Sequence, residues 1–194
     1  MKIAIIKYNA GNIQSVSFAL ERLGVNFSIT DQPEEIQKAD KVIFPGVGEA
    51  STTMQYLKSK RLNEVIAKLN QPVLGICLGM QLMCKYSEEN KTTCLGIFDQ
   101  DVKQFTPTTD KKVPHMGWNQ LISTNDWLSK ELENENVYFV HSFYVPISIH
   151  TSATTDYGIS FSAAIRKDNF YAVQFHPEKS AKAGELVLKT FLSV

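Results

Sequence analysis

Apolar and polar positions follow two rhythms along this chain. Up to about residue 97, short apolar runs alternate with stretches of helical period. "KIAIIKY" holds an unbroken apolar run, Ile3 to Ile6, and reads as a strand ended by "NAGN". Ile13, Val16, Leu20 and Leu23 then recur at helical spacing, and Gly24 supplies a stop. "VNFSIT" predicts a second strand, "PEEIQKA" a short helix with Pro33 near its start, and "KVIFPG" a third strand. A loop and helix over "VGEASTTMQYLKSK" and a helix over "RLNEVIAKLN" follow. "PVLGIC" is a fourth strand, running into a helix from Leu78 towards Glu88. This alternation predicts an α/β fold: an open, mostly parallel sheet with helices on both faces.

Beyond residue 97 the pattern becomes strand-like. "DVKQF", "HMGWNQL", "VYFVHSFYV", "HTSATTDYG", "FSAAIRK" and "FYAVQFH" are separated by polar turns, with "RKDNF" as a hairpin turn. A helix from Ala181 to Leu192 closes the chain. With no repeat, linker or low-complexity stretch, residues 1–194 read as one domain with additional antiparallel strands in its second half.

Charge narrows the partners. Lys plus Arg and Asp plus Glu number 20 each, a balance that argues against nucleic acid or an anionic membrane as the main partner. The apolar run at the N-terminus is too short for a signal peptide, and no run approaches membrane-spanning length. Three cysteines without a CxxC or His-rich ligand pattern predict a reducing, cytoplasmic setting and no metal or other cofactor.

One of those cysteines carries the chemistry. Residues 75–79 read Gly-Ile-Cys-Leu-Gly, at a junction of strand and helix. A nucleophile elbow has this form: glycines two residues to either side permit a strained turn that lifts the central side chain above the carboxyl edge of the sheet. A buried thiol between packing glycines fits the pentapeptide equally well. Joined to a base, the first reading gains. His176 ends the apolar run of "YAVQFHPEKS", and Pro177 biases it to extended backbone, so His176 and Glu178 project to one side. Glu178 can hold one imidazole nitrogen while the other faces Cys77. Gly46-Val47-Gly48, in "FPGVGEA", also follows a strand and can aim backbone amides at a developing oxyanion. Cys84 reads as core-facing, His115 and His141 as bordering the site without a catalytic demand, and His150 as a surface residue.

"GICLGMQ", "PGVG" and "HPEKS" together resemble the class I, or triad, glutamine amidotransferases, whose sheet is flavodoxin-like, and the similarity runs along the whole chain. Met80, "VPHMGWN" and "NAGNIQSV" point to the branch formed by the glutaminase subunits of imidazole glycerol phosphate synthases. Lys7 departs from the acidic residue many members carry there. The resemblance implies that Cys77 attacks the carboxamide of glutamine, that His176 moves the protons and that Glu178 orients His176. It implies an oxyanion hole from the Leu78 amide and the Gly46, Val47, Gly48 loop. Gln81, the backbone of Ser142 and Phe143, and Glu89 would bind the substrate's amino-acid end. Ammonia would pass to a (β/α)8 cyclase subunit in a heterodimer of histidine biosynthesis, with Asn12, Trp118 and Lys179 near the interface. Glycines on both sides of Val47 would let its peptide turn between offering a carbonyl and offering an N–H. Two other readings stay open: the same glutaminase feeding another synthase, such as one that amidates a surface sugar, and a cysteine-bearing binding module without turnover.

Overall fold

Residues buried on both faces explain why the shortest apolar runs make the central strands. In a computed structural model that describes residues 1–8 and 12–194, β1 (Ile3–Ile6), β3 (Lys41–Phe44) and β4 (Val73–Ile76) are buried at every position. Such strands lose the polar alternation of a half-exposed sheet. With β2 (Phe27–Thr30) and β14 (Phe170–Val173) they form the parallel part of an eight-stranded sheet of order β2-β1-β3-β4-β14-β13-β12-β9. The last three, β13 (Ser160–Lys167), β12 (Thr151–Asp156) and β9 (Ser123–Thr124), run antiparallel. The expected hairpin joins β13 to β14: Lys167 pairs with Phe170 across Asp168, whose φ of 53° is left-handed. The turn expected over "NAGN" falls mostly on residues 9–11, outside the described residues.

Alternate side chains of the parallel strands feed two cores. Ile3, Ile5, Leu74 and Ile76 pack with α1 (Ile13–Arg22) and α6 (Ala181–Ser193). Ala4, Ile6, Val42 and Phe44 pack with α2 (Pro33–Gln37), α3 (Ala50–Ser59), α4 (Leu62–Ile66) and α5 (Leu78–Met83). Two small sheets flank the large one. β8 (His115–Gln120) pairs with β10 (Asn136–His141). β11 (Phe143–Tyr144), β7 (Phe98–Gln104), β5 (Cys84–Ser87) and β6 (Thr92–Thr93) form the other. Among the described residues, no helix is long and apolar enough to cross a membrane.

Several expectations are corrected. The helix after Cys77 ends at Met83, because Cys84 turns extended and Cys84–Ser87 pairs with β6 and β7 instead. Cys84 is buried as expected, but on a strand. "VYFVHSFYV" breaks in two, since β10 and β11 pair with different partners. The strand in "FYAVQFH" ends at Val173. His150 is half-buried, its ring set edge-on 5.5 Å from Phe98.

Candidate active site

Cys77 sits between β4 and α5 with φ 51° and ψ −107°, a backbone conformation that costs a non-glycine residue about 1–3 kcal/mol. The surroundings hold it there: the Cys77 N–H donates to Val173 O at 2.8 Å, and the Cys77 carbonyl accepts from Gln81 N at 3.2 Å. The flanking glycines are required by close approach. A Cβ on Gly79 would stand 2.0 Å from Phe44 O, and one on Gly75 would stand 3.0 Å from Gly79 C and Met80 N. These are the contacts an elbow needs, with each other and with the neighbouring strand.

The expected base, His176, lies just past β14. His176 Nδ1 lies 2.7 Å from Glu178 Oε1, and both side chains are fully buried. Only His176 is extended; Pro177–Lys179 forms a single 3-10 turn, so Glu178 reaches the imidazole by curling back rather than by strand alternation. Asn12 was expected near a partner surface or as a helix cap. Its side chain makes no cap bond and turns inward, donating to Glu178 Oε1. Burial alone would keep His176 neutral. A Cys77 thiolate, followed by Glu178, outweighs burial and raises the imidazole well above its ordinary value. His176 Nε2 is left without a geometrically formed hydrogen bond among the described residues, and both the charge and the side chain of Cys77 act on the ring. The thiol itself points at Val140 O, 3.8 Å away.

A hollow of about 250 Å³ opens beside Cys77. It gathers Gly46, Val47, Gly48 and Leu78 with Gln81, Glu89, Ser142 and Phe143, so every residue expected in the oxyanion hole and the substrate pocket lines one space. Their bonding is less uniform. The Leu78 N–H donates to Gly46 O at 3.4 Å, so in this conformation the loop presents a carbonyl to that amide. Gly46 is required by close packing, since a Cβ would stand 2.5 Å from Gly79 N, whereas a Cβ on Gly48 would make only ordinary contacts, 3.6 Å from Leu78 Cδ2 and 3.7 Å from Thr53 Oγ1, at a φ of +156°. Tyr8 anchors the loop's root by donating to Pro45 O. Gln81 spends both amide hydrogens inside the protein, on Phe143 O at 2.9 Å and Gln174 Oε1 at 3.0 Å, which leaves Oε1 of Gln81 for a ligand. Glu89 accepts from Ala50 N at 2.7 Å, and burial raises its carboxyl against that bond. The Ser142 carbonyl accepts from Phe105 N.

Sequence reasoning missed Asn12 as a support of Glu178, the histidine pair, and Gln174. His115 Nδ1 lies 3.0 Å from His141 Nε2, and His141 Nδ1 donates to Phe143 O at 2.7 Å. Burial lowers His115 to about 4 and His141 to about 3, so both rings are neutral. Gln174 is a single polar residue in the apolar run "YAVQF", a signal open to reading; the Asn12 contact had none, being 166 residues distant. On the far side of Glu178, Trp118 and Lys179 share a second hollow of about 460 Å³. Trp118 is 56% exposed and edge-on to Tyr138, and Lys179 Nζ lies 5.8 Å from the Tyr138 ring centre.

Comparison with known proteins decides the family. Residues 4–193 match the family described as glutamine amidotransferase class-I. The chain belongs to that family. Similar curated proteins include "Imidazole glycerol phosphate synthase subunit HisH" of Bacteroides thetaiotaomicron, 62% identical over the whole of both chains. The same-named protein of Idiomarina loihiensis is 44% identical, covering all of this chain and 98% of that one. Among solved structures, a glutamine amidotransferase superimposes with a TM-score of 0.74 at 16% identity, over 98% of this chain and 97% of that one. A glutamine amidotransferase from Thermotoga maritima gives 0.60 at 17% identity, over 100% of this chain and 83% of that one. These two likenesses show that the fold is shared.

Proposed function

We propose that this chain is the glutaminase subunit of an imidazole glycerol phosphate synthase, acting in the cytoplasm as one amidotransferase domain over residues 1–194. The observation that carries the reading is Cys77, on a strained elbow and facing a hollow, charge-coupled to a buried His176 that Glu178 holds. Full-length identity to relatives of that name supports it.

In the proposed reaction Cys77 Sγ attacks Cδ of the glutamine side chain. The C–N bond breaks as His176 passes its proton to the leaving nitrogen, giving a glutamyl thioester and ammonia. His176 then takes a proton from water, which attacks the thioester, and glutamate leaves as the thiol is restored. The Leu78 amide and an amide of the Gly46–Gly48 loop stabilise the oxyanion once the loop turns, and a donor of this kind contributes about 10²–10³ in rate. Gln81 Oε1 and Glu89 suit the α-ammonium end of glutamine. Ammonia passes to a (β/α)8 cyclase subunit seated near Trp118, Lys179 and Asn12, forming imidazole glycerol phosphate and an aminoimidazole carboxamide ribotide. The test is Cys77→Ala in the reconstituted complex: glutamine-dependent synthesis is abolished while synthesis from high ammonium at alkaline pH survives. Retained glutamine hydrolysis overturns the nucleophile assignment, and failure of the cyclase to accept the chain's ammonia points to another synthase, such as a sugar-amidating one.

A further inference from the structure

The buried amide of Gln174 lies 3.6 Å from the sulfur of Cys77, at the end of a hydrogen-bond relay whose direction is fixed. We propose that Gln174 is a catalytic residue that donates a hydrogen bond to Cys77 Sγ and stabilises its thiolate, with Gln81 and the Phe143 carbonyl setting the direction of that donation. The proposal deepens the glutaminase reading and rests on Cys77 being its nucleophile.

The direction follows from one atom that cannot donate. Phe143 O is a carbonyl, so the Gln81 atom 2.9 Å from it is the amide nitrogen. The same nitrogen lies 3.0 Å from the Gln174 side chain, which must therefore offer Oε1 there. That leaves Gln174 Nε2 to face the sulfur. His141 Nδ1 donates to the same Phe143 carbonyl and reinforces its role as acceptor. Gln174 is fully buried, follows Val173 directly and ties its own N–H to Ala163 O at 2.8 Å, so the amide has no route to water. Gln174 and Phe175 form a bend between the end of β14 and the extended His176, and this one short segment carries both the proposed base and the donor.

The two polar contacts of the sulfur favour opposite states. Val140 O, at 3.8 Å, can only accept and suits the protonated thiol. Gln174 Nε2 can only donate and suits the thiolate. Among the described residues, the charged or titratable groups around the sulfur are His176 past β14 with Glu178 behind it, Tyr8 beyond β1, and His141 and Glu89 in the hollow. Tyr8 spends its hydroxyl proton on Pro45 O, and the one N–H of neutral His141 is committed to Phe143 O. Neither replaces the amide. A hydrogen bond to a charged group is worth roughly a factor of ten or more in the balance between two states.

The experiment is alkylation of Cys77 by iodoacetamide across pH in the full-length chain, followed by peptide-resolved mass spectrometry, with no glutamine or partner present. In Gln174→Leu, Cys77 is alkylated about tenfold more slowly near neutral pH, and the profile moves upward until the rates converge at alkaline pH. In Gln174→Glu, an acceptor of the same size faces the sulfur, and the profile moves further. A profile unchanged in a folded variant overturns the proposal. In the wild-type chain, the side-chain amide NMR resonance of Gln174 moves with pH in step with Cys77 alkylation and stays still in Cys77→Ala. A resonance that stays still in the wild type overturns the proposal whether or not the variants fold. Alkylation that depends on Gln174 in a chain that never hydrolyses glutamine upholds this proposal while rejecting the functional reading.

Discussion

The two sides of Cys77 differ in how firmly they are held: the buried residues behind it, and the loop that lines the hollow in front of it. On one, His176, Glu178 and Gln174 are buried and tied by hydrogen bonds, with Asn12 bracing Glu178. On the other, the Gly46–Gly48 loop carries a 39%-exposed Val47 and rests its Gly46 carbonyl on the Leu78 amide. Packing fixes the proposed nucleophile and base, whereas the proposed oxyanion donors depend on the peptide between Gly46 and Gly48, which glycine allows to turn. On the proposed reading, the thiol stays poised while turnover is withheld by one misaimed carbonyl.

The firm wall is the place for the largest effect. His176→Ala removes the proposed base and is expected to lower glutaminase turnover of the complex by about 10²–10⁴. Glu178→Gln costs less, because its side-chain oxygen can still accept from Asn12 and from His176 Nδ1 while only the charge that holds the imidazolium is lost. Steady-state rates of the two variants with partner present decide the order, and equal or reversed losses reject the orienting role of Glu178.

A smaller effect sharpens the contrast at the loop's far end, where Glu49 caps α3. Its carboxylate accepts from Ser51 N at 2.8 Å, Thr52 N at 2.9 Å and the Asn90 amide at 2.8 Å. Burial would raise Glu49, but the Thr52 and Ser51 N–H groups outweigh it and lower the carboxyl from 4.5 to about 2. A folded value below the unfolded one means that the cap's contribution is complete above pH 4.5 and fades as pH falls towards 2. Glu49→Ala therefore costs about 1 kcal/mol of stability at pH 7, and urea unfolding at pH 7 and in acid shows the gap between variant and wild type closing at the lower pH.

Most of the elbow was legible in the sequence because its cause is local: glycines two residues either side of Cys77 mark a backbone crossing that admits no Cβ. His176 was legible because an apolar run ending in His-Pro-Glu is rarely idle beside such an elbow. The end of α5 at Met83 was not, since a run of apolar residues suits helix or strand and the choice rests on pairing with β7, more than ten residues ahead. His115 and His141 meet only through the register of β8 with β10, where they stand opposite each other. The orientation of the Gly46 carbonyl had no sequence signature, for glycine permits either peptide orientation.

The most direct measurement is ammonia release from glutamine by the isolated chain, then by the chain saturated with both the proposed cyclase partner and an acceptor-site ligand. Withdrawing a donor and placing a carbonyl against the oxyanion predicts that the isolated chain runs at least about 10²-fold slower than the stimulated complex. Gly48→Val, which strains a φ of +156°, should leave partner binding nearly unchanged and erase most of that stimulation. An isolated wild-type chain that already turns over at the rate of the complex contradicts the account.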